Sequence, residues 1–250
     1  MKFSGAVLFT VASLFLTGAS YSSSVEVKDE GFTPMFDGKS LNGWKGDPKY
    51  WRVQDGAITG EVKPDNLLQN NSFIVWQGGE PANFEMKGEY KVSAQGNSGI
   101  NYRSIYADGI DFALIGYQAD IDGQNLYTGQ NYEERKRTTL AYIGDKVVTG
   151  NCGKDLHKYI RNNGWTCIQN SQRIDGSANA ISNVKKDGWN SFHLVVVGNR
   201  MRHYVNGLLI SDVTDNDESN RTVKGLIGMQ VHVGPAMVIQ YKNLRIKELK

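Results

Sequence analysis

Gln118, Asp120 and Asp122 stand two apart in the stretch Gly116-Tyr117-Gln118-Ala119-Asp120-Ile121-Asp122-Gly123. On a strand, where successive side chains point to opposite faces, this spacing puts an amide and two carboxylates on one face and Tyr117, Ala119 and Ile121 on the other. The apolar set suits a core. The oxygen-bearing set can grip sugar hydroxyls, hold a cation or move protons, against the plainer reading of an exposed face that happens to be acidic. In Gly96-Asn97-Ser98-Gly99-Ile100-Asn101-Tyr102-Arg103, the same alternation sets Asn101 and Arg103 opposite Ile100 and Tyr102. Arg103 is therefore expected on the face of the acidic row, a routine surface ion pair being the alternative. Near the C-terminus, His232 shares a strand face with Gln230 just before Gly234-Pro235, where a histidine can serve as acid, base or ligand.

Several chemistries are excluded. The chain has no G-x-S-x-G elbow, no P-loop, no G-x-G-x-x-G opening a helix and no H-E-x-x-H, so hydrolases built on those sites are out. Lys+Arg 28 against Asp+Glu 26 gives a formal charge of +2 over 250 residues, with no basic block, so no nucleic-acid partner is expected. Residues 1–20 carry Lys2, an apolar run from Ala6 to Leu16 and small residues up to Ser20. That is the layout of a signal peptide too short to span a membrane. No cysteine follows the run to accept a lipid. A polar leader at 21–30 comes next, and the expectation is a periplasmic or secreted protein with no membrane span. In such a compartment Cys152 and Cys167 are expected to pair, closing a loop of about fifteen residues worth up to ~3 kcal/mol; two buried thiols are the alternative.

The elements that must position these residues are short and turn-punctuated. Trp51 to Gly60 folds back at Asp55-Gly56, and His203 to Ile210 at Asn206-Gly207, the two strongest hairpin signals in the chain. Phe84 to Tyr90 alternates with Phe84, Met86, Gly88 and Tyr90 facing inward. Asn131 to Arg137, mixed in charge, reads as a solvated loop leading to a strand at 138–142. Residues 144–188 lack a period and read as an elaborated loop region holding both cysteines. No helical period is sustained after residue 30, so the fold expected is an all-β, two-sheet antiparallel sandwich forming a single domain over 31–250.

Five motifs in register resemble the 3-keto-disaccharide hydrolase domain family. They are Phe36-Asp37-Gly38-Lys39-Ser40-Leu41-Asn42-Gly43-Trp44, Trp51-Arg52-Val53-Gln54-Asp55-Gly56, the Asn97 to Arg103 stretch, Gly116 to Ile121, and Gln230-Val231-His232-Val233-Gly234-Pro235. The resemblance implies a jelly roll of the concanavalin-like lectin and glucanase type. It also implies hydrolysis of glycosides oxidised to a ketone at carbon 3, by proton removal at carbon 2, elimination at carbon 1 and water addition. Oligosaccharide or glycoside is then the partner. Carried over residue by residue, it implies Asp120 as base, with His232, Arg103 and Glu134 also catalytic. Gln118, Asp122, Asn97, Tyr132, Arg137 and Gln230 become substrate contacts. No cofactor is named, although His232 also suits the ligand of one divalent cation. Gln118 and Asp120 stand where a common form of the motif has Glu and Gln, which leaves open whether amide and carboxylate exchange roles. Two other readings compete: a carbohydrate-binding module, and an ordinary glycanase using Asp120 and Asp122 as its carboxylate pair.

Overall fold

Asp55 and Gly56 both have positive φ (51° and 73°), as do Asn206 and Gly207 (48° and 80°). That pair of conformations matches the right-handed twist of flanking strands, so each dipeptide closes a tight hairpin. These hairpins belong to a computed structural model that describes Met1 and residues 31–176 and 181–250; the expected signal peptide at 1–20 and leader at 21–30 lie, Met1 apart, outside the described residues. The first half of the chain forms β1 (Thr33–Pro34), β2 (Trp44–Lys45), β3 (Trp51–Gln54), β4 (Ala57–Val62), β5 (Ser72–Trp76), β6 (Phe84–Val92), β7 (Asn97–Tyr106) and β8 (Leu114–Asp122). There follow β9 (Asn131–Glu134), β10 (Thr138–Ala141), β11 (Asp145–Thr149), β12 (Ile160–Arg161), β13 (Gly164–Trp165) and β14 (Ile168–Arg173). The last strands are β15 (Asn190–Val197), β16 (Arg200–Val205), β17 (Leu208–Thr214), β18 (Leu226–Val231) and β19 (Met237–Glu248).

These strands form two sheets. One runs β14-β11-β17-β16-β15-β6-β19-β4-β3, with β1 on β19; the other runs β12-β13-β10-β9-β8-β7-β18-β5-β2. Pairing is antiparallel except for β10 with β13 and β11 with β17, which are parallel. Along β6 burial alternates without a break, because only one of its faces meets the other sheet. Phe84 of β6 meets Tyr102 of β7 edge-on at 6.1 Å between ring centroids, and Tyr102 stacks on Tyr117 of β8 at 5.6 Å. Side chains of this size each contribute about 1.5–3 kcal/mol when fully buried, so the seam between the sheets is the core.

Two stretches read as loops are strands. Asn131–Glu134 is β9, paired to β8 and β10. Residues 144–188 supply β11 to β14, which extend both sheets at one end. β14 is exposed over nearly its whole length, so backbone pairing with β11 holds it and no apolar period marks it in sequence. The disulfide Cys152–Cys167, Cα atoms 6.3 Å apart, ties the end of β11 to the start of β14.

Candidate active site on the outer face of the second sheet

Alternation along β8 sends Tyr117 and Ile121 into the core and Gln118 and Asp120 to the opposite face. Gln118 lies opposite Tyr132 of β9, and the Asp120 amide donates to the Gln130 carbonyl at 3.3 Å. The same face therefore carries Gln130, Tyr132 and Glu134. On the other flank Gly99 of β7 lies opposite Asp120. A Cβ there would come within 2.5 Å of Gln118 Cδ, so the glycine lets Gln118 cross β7 to Gln230 on β18. Asn71, Asn97, Arg135, Asn163 and His232 complete a hollow of about 510 Å³ around these residues.

Asp120 is its floor. Gln118 Nε2 donates to Oδ1 at 2.6 Å and Gln130 Nε2 to Oδ2 at 2.5 Å, so each carboxylate oxygen is held by one amide. Gln118 is fixed in turn, since its Oε1 accepts from Gln230 Nε2 at 3.0 Å. Among the described residues no cation pairs with Asp120. Burial, at 8% exposure, drives its pKa up; the two amide bonds pull it back only in part, and the charges of Glu134 and Asp122 raise it further, to about 7. At neutral pH this carboxyl is thus shared between proton donor and acceptor forms, the condition for general acid–base work.

Glu134 lies in the same hollow. Burial raises its pKa against the pull of Asn71, Arg135 and Gln230; Asn71 Nδ2 donates to it at 3.1 Å and Arg135 Nε stands 3.8 Å away. His232 Nδ1 meets the Val233 carbonyl, so that nitrogen carries the hydrogen and Nε2 keeps its lone pair. Burial lowers the His232 pKa, the Val233 bond opposing it, and the ring is neutral at pH 7. Arg135 is the one Lys or Arg lining the hollow among the described residues. Among those residues, too, no group of three or more His, Cys, Asp or Glu converges as metal ligands would.

The hollow brings together Asp120, Glu134, His232, Gln118, Asn97 and Tyr132. Gln230 stands behind it, fully buried, and orients Gln118 rather than meeting solvent. Three residues expected there are elsewhere. Asp122 gives its carboxylate to the amides of Gln124 at 3.3 Å and Leu126 at 2.6 Å, tying the loop after β8, and does not line the hollow that Asp120 faces. Arg137 is fully buried on the core side, bound to Glu133 at 2.6 Å, Asp215 at 2.6 Å and Asp217 at 3.4 Å. Arg103 sits at a bulge, where β7 has one residue more than β8 and β18 between Tyr102 and Ile105; its φ of 47° turns the side chain off the acidic row to the Ala82 carbonyl.

Gln130, Asn71, Arg135 and Asn163 line the hollow but carry no motif. For Gln130 a signal existed: it alternates with Tyr132 and Glu134. It was masked because the intervening Asn131 and Glu133 are polar as well, bound to Tyr102 at 3.1 Å and Arg137 at 2.6 Å inside the core.

Fold and site together define a two-sheet β-sandwich with an amide-braced carboxylate in a polar hollow. Residues 31–247 match the 3-keto-alpha-glucoside-1,2-lyase-like domain, and the chain belongs to that family. A 3-keto-disaccharide hydrolase of Bacteroides thetaiotaomicron is 35% identical over 92 residues, which is 32% of this chain and 30% of that protein; the chain thus spans under a third of this relative's length. Among solved structures, a Parabacteroides distasonis protein assigned to the glycosyl hydrolases superposes with a TM-score of 0.57 at 22% identity, covering 89% of this chain and 96% of the other. A Bacillus subtilis protein with a galectin-like fold gives 0.50 at 10% identity, covering 83% and 90%. Likeness at such identities is likeness of fold.

Proposed function

We propose that this chain is an exported glycosidase that cleaves glycosides bearing a ketone at carbon 3 of the sugar. The observation that carries the reading is Asp120: a buried carboxyl with a pKa of about 7, its oxygens held by Gln118 and Gln130, facing a hollow that also holds Glu134, Arg135 and neutral His232. Family membership supports the substrate class.

The ketone makes the proton on carbon 2 acidic. Asp120 takes that proton, the C–H electrons form the enolate, and Arg135 faces the negative oxygen at carbon 3. As the ketone reforms, the bond from carbon 1 to the leaving oxygen breaks, and Glu134, the second carboxyl of the hollow, protonates that oxygen. Water then adds at carbon 1 of the unsaturated ketone, with His232 Nε2 accepting its proton while Asp120 returns the first proton to carbon 2, and the His232 proton passes through solvent to Glu134, restoring both groups. The net reaction is hydrolysis.

A second reading rests on one observation: Asp120 and Glu134 place two carboxyls in one hollow, and a conventional glycosidase works with such a pair. A 3-keto-glucoside and its unoxidised parent, each incubated with the protein, separate the two. Cleavage of the keto form alone, lost by ~10²-fold or more in Asp120→Asn, is expected. Comparable cleavage of the plain glycoside means a conventional glycosidase, and saturable binding with no cleavage of either means a sugar-binding module.

A further inference from the structure

Arg103 and Arg137 head the largest fully buried side chains. Arg137 is met by three carboxylates, whereas no carboxylate of the described residues lies within ion-pair distance of Arg103. Its one acceptor among the described residues is the Ala82 carbonyl, which takes Nε at 3.0 Å and Nη2 at 2.5 Å. A guanidinium has five N–H groups, so the fork formed by Nη1 and the second hydrogen of Nη2 is left over. Burying a cation without a counter-charge is costly unless something else supplies one.

The fold goes to some length to place it there. At the bulge, Gly116 of β8 and Gly225 before β18 flank Ser104 and Arg103; a Cβ on Gly116 would reach Ser104 Cα at 2.8 Å, and one on Gly225 would reach the Arg103 carbonyl carbon at 2.7 Å. Arg103 then lines a hollow of about 530 Å³ that has no residue in common with the Asp120 hollow. Arg221 and Lys224 also line it, and no acidic residue does among the described residues. Both are loosely held: Arg221 by Glu218 at 3.3 Å and the Asp215 carbonyl at 3.3 Å, and Lys224 by Glu80 at 3.9 Å, both acids more than half exposed. Burial lowers the Arg103 pKa and the like charge of Arg221 adds to it, against the opposing pull of Tyr102, Tyr117 and Asp215.

We propose that Arg103, Arg221 and Lys224 form a binding site for a small oxyanion, a carboxylate, sulfate or phosphate group seated on the free Nη1/Nη2 fork of Arg103. That fork matches two oxygens of such a group with two parallel hydrogen bonds, while the rim cations supply the remaining charge.

The test is the thermal midpoint of the whole chain titrated with sodium sulfate, sodium phosphate and sodium acetate, each against sodium chloride at matched ionic strength. At least one oxyanion is expected to give a saturable rise of about 3 °C or more over chloride. The anion that saturates at the lowest concentration separates a carboxylate ligand from a sulfated or phosphorylated one. Arg103→Gln is expected to abolish the rise. Arg221→Gln and Lys224→Gln, which lie outside the bulge and keep the proposal testable if Arg103→Gln does not fold, should each raise the half-saturating concentration about tenfold, and Asp120→Asn should leave it unchanged. An equal rise in all variants would mean general salting-out, and no saturable rise with any of the three anions would mean no site; either overturns the proposal.

Discussion

Strands β8 and β9 carry buried charge on both faces and handle it in opposite ways. On the core side, Arg137 is bound by Glu133, Asp215 and Asp217, stands 5.7 Å over the Tyr117 ring, and Asp215 also accepts from Tyr117 Oη at 2.6 Å and Thr149 Oγ1 at 2.8 Å. Burial pushes the Asp215 pKa up, but the bonds and charge of Arg137 outweigh it and hold the carboxyl below its usual value. On the outer side, Asp120 has amides and, among the described residues, no cation, so burial wins and the pKa rises to about 7. The first cluster is closed, its carboxylates bound to one guanidinium. The second is left titratable and open to a hollow, and that difference separates a structural tie from a candidate catalyst more sharply than burial or residue type does.

The comparison breaks if both clusters respond alike to removal of a charge. The largest effect is expected at the core: Arg137→Met leaves three carboxylates without their cation and should cost about 3–5 kcal/mol in urea unfolding at pH 7. Because Asp215 titrates below its unfolded value, its stabilising contribution is present at neutral pH and lost on acidification, so the deficit of this variant should shrink as pH falls. Asp120 has the opposite sign. Its folded pKa of about 7 lies above the ordinary 3.8, so the fold loses stability as pH rises from about 4 to 7, by about 4 kcal/mol in full. Asp120→Asn, which cannot ionise, should therefore gain about 2 kcal/mol or more over the parent at pH 8 and little at pH 4, while losing activity. A variant destabilised at pH 8 would place Asp120 with the structural charges.

What the sequence revealed follows the same division. Hairpins at Asp55-Gly56 and Asn206-Gly207, the alternation of β6 and the row Gln118 and Asp120 were legible, because one face of each strand is apolar or the turn demands positive φ. β9 was not, since Asn131 and Glu133 point into a polar patch of core and both its faces look solvated. Arg103 was misplaced by a single extra residue, for a bulge reverses the face of whatever follows it. Its only local marks were Gly116 and Gly225 on the strands alongside. Asp122 and Arg137 were chemically apt for sugar contact, and only their partners show that they are already committed.

The central claim is that Asp120 alone of these carboxylates is poised near neutrality. Carbon-13 NMR of the carboxyl carbons, in protein labelled at aspartate and titrated from pH 4 to 9, reads this directly. One aspartate resonance should titrate near pH 7 and be missing in Asp120→Asn, while Asp215 titrates below the ordinary aspartate value. If every aspartate were already ionised below pH 5, the uncompensated carboxyl on which the proposed chemistry rests would not exist.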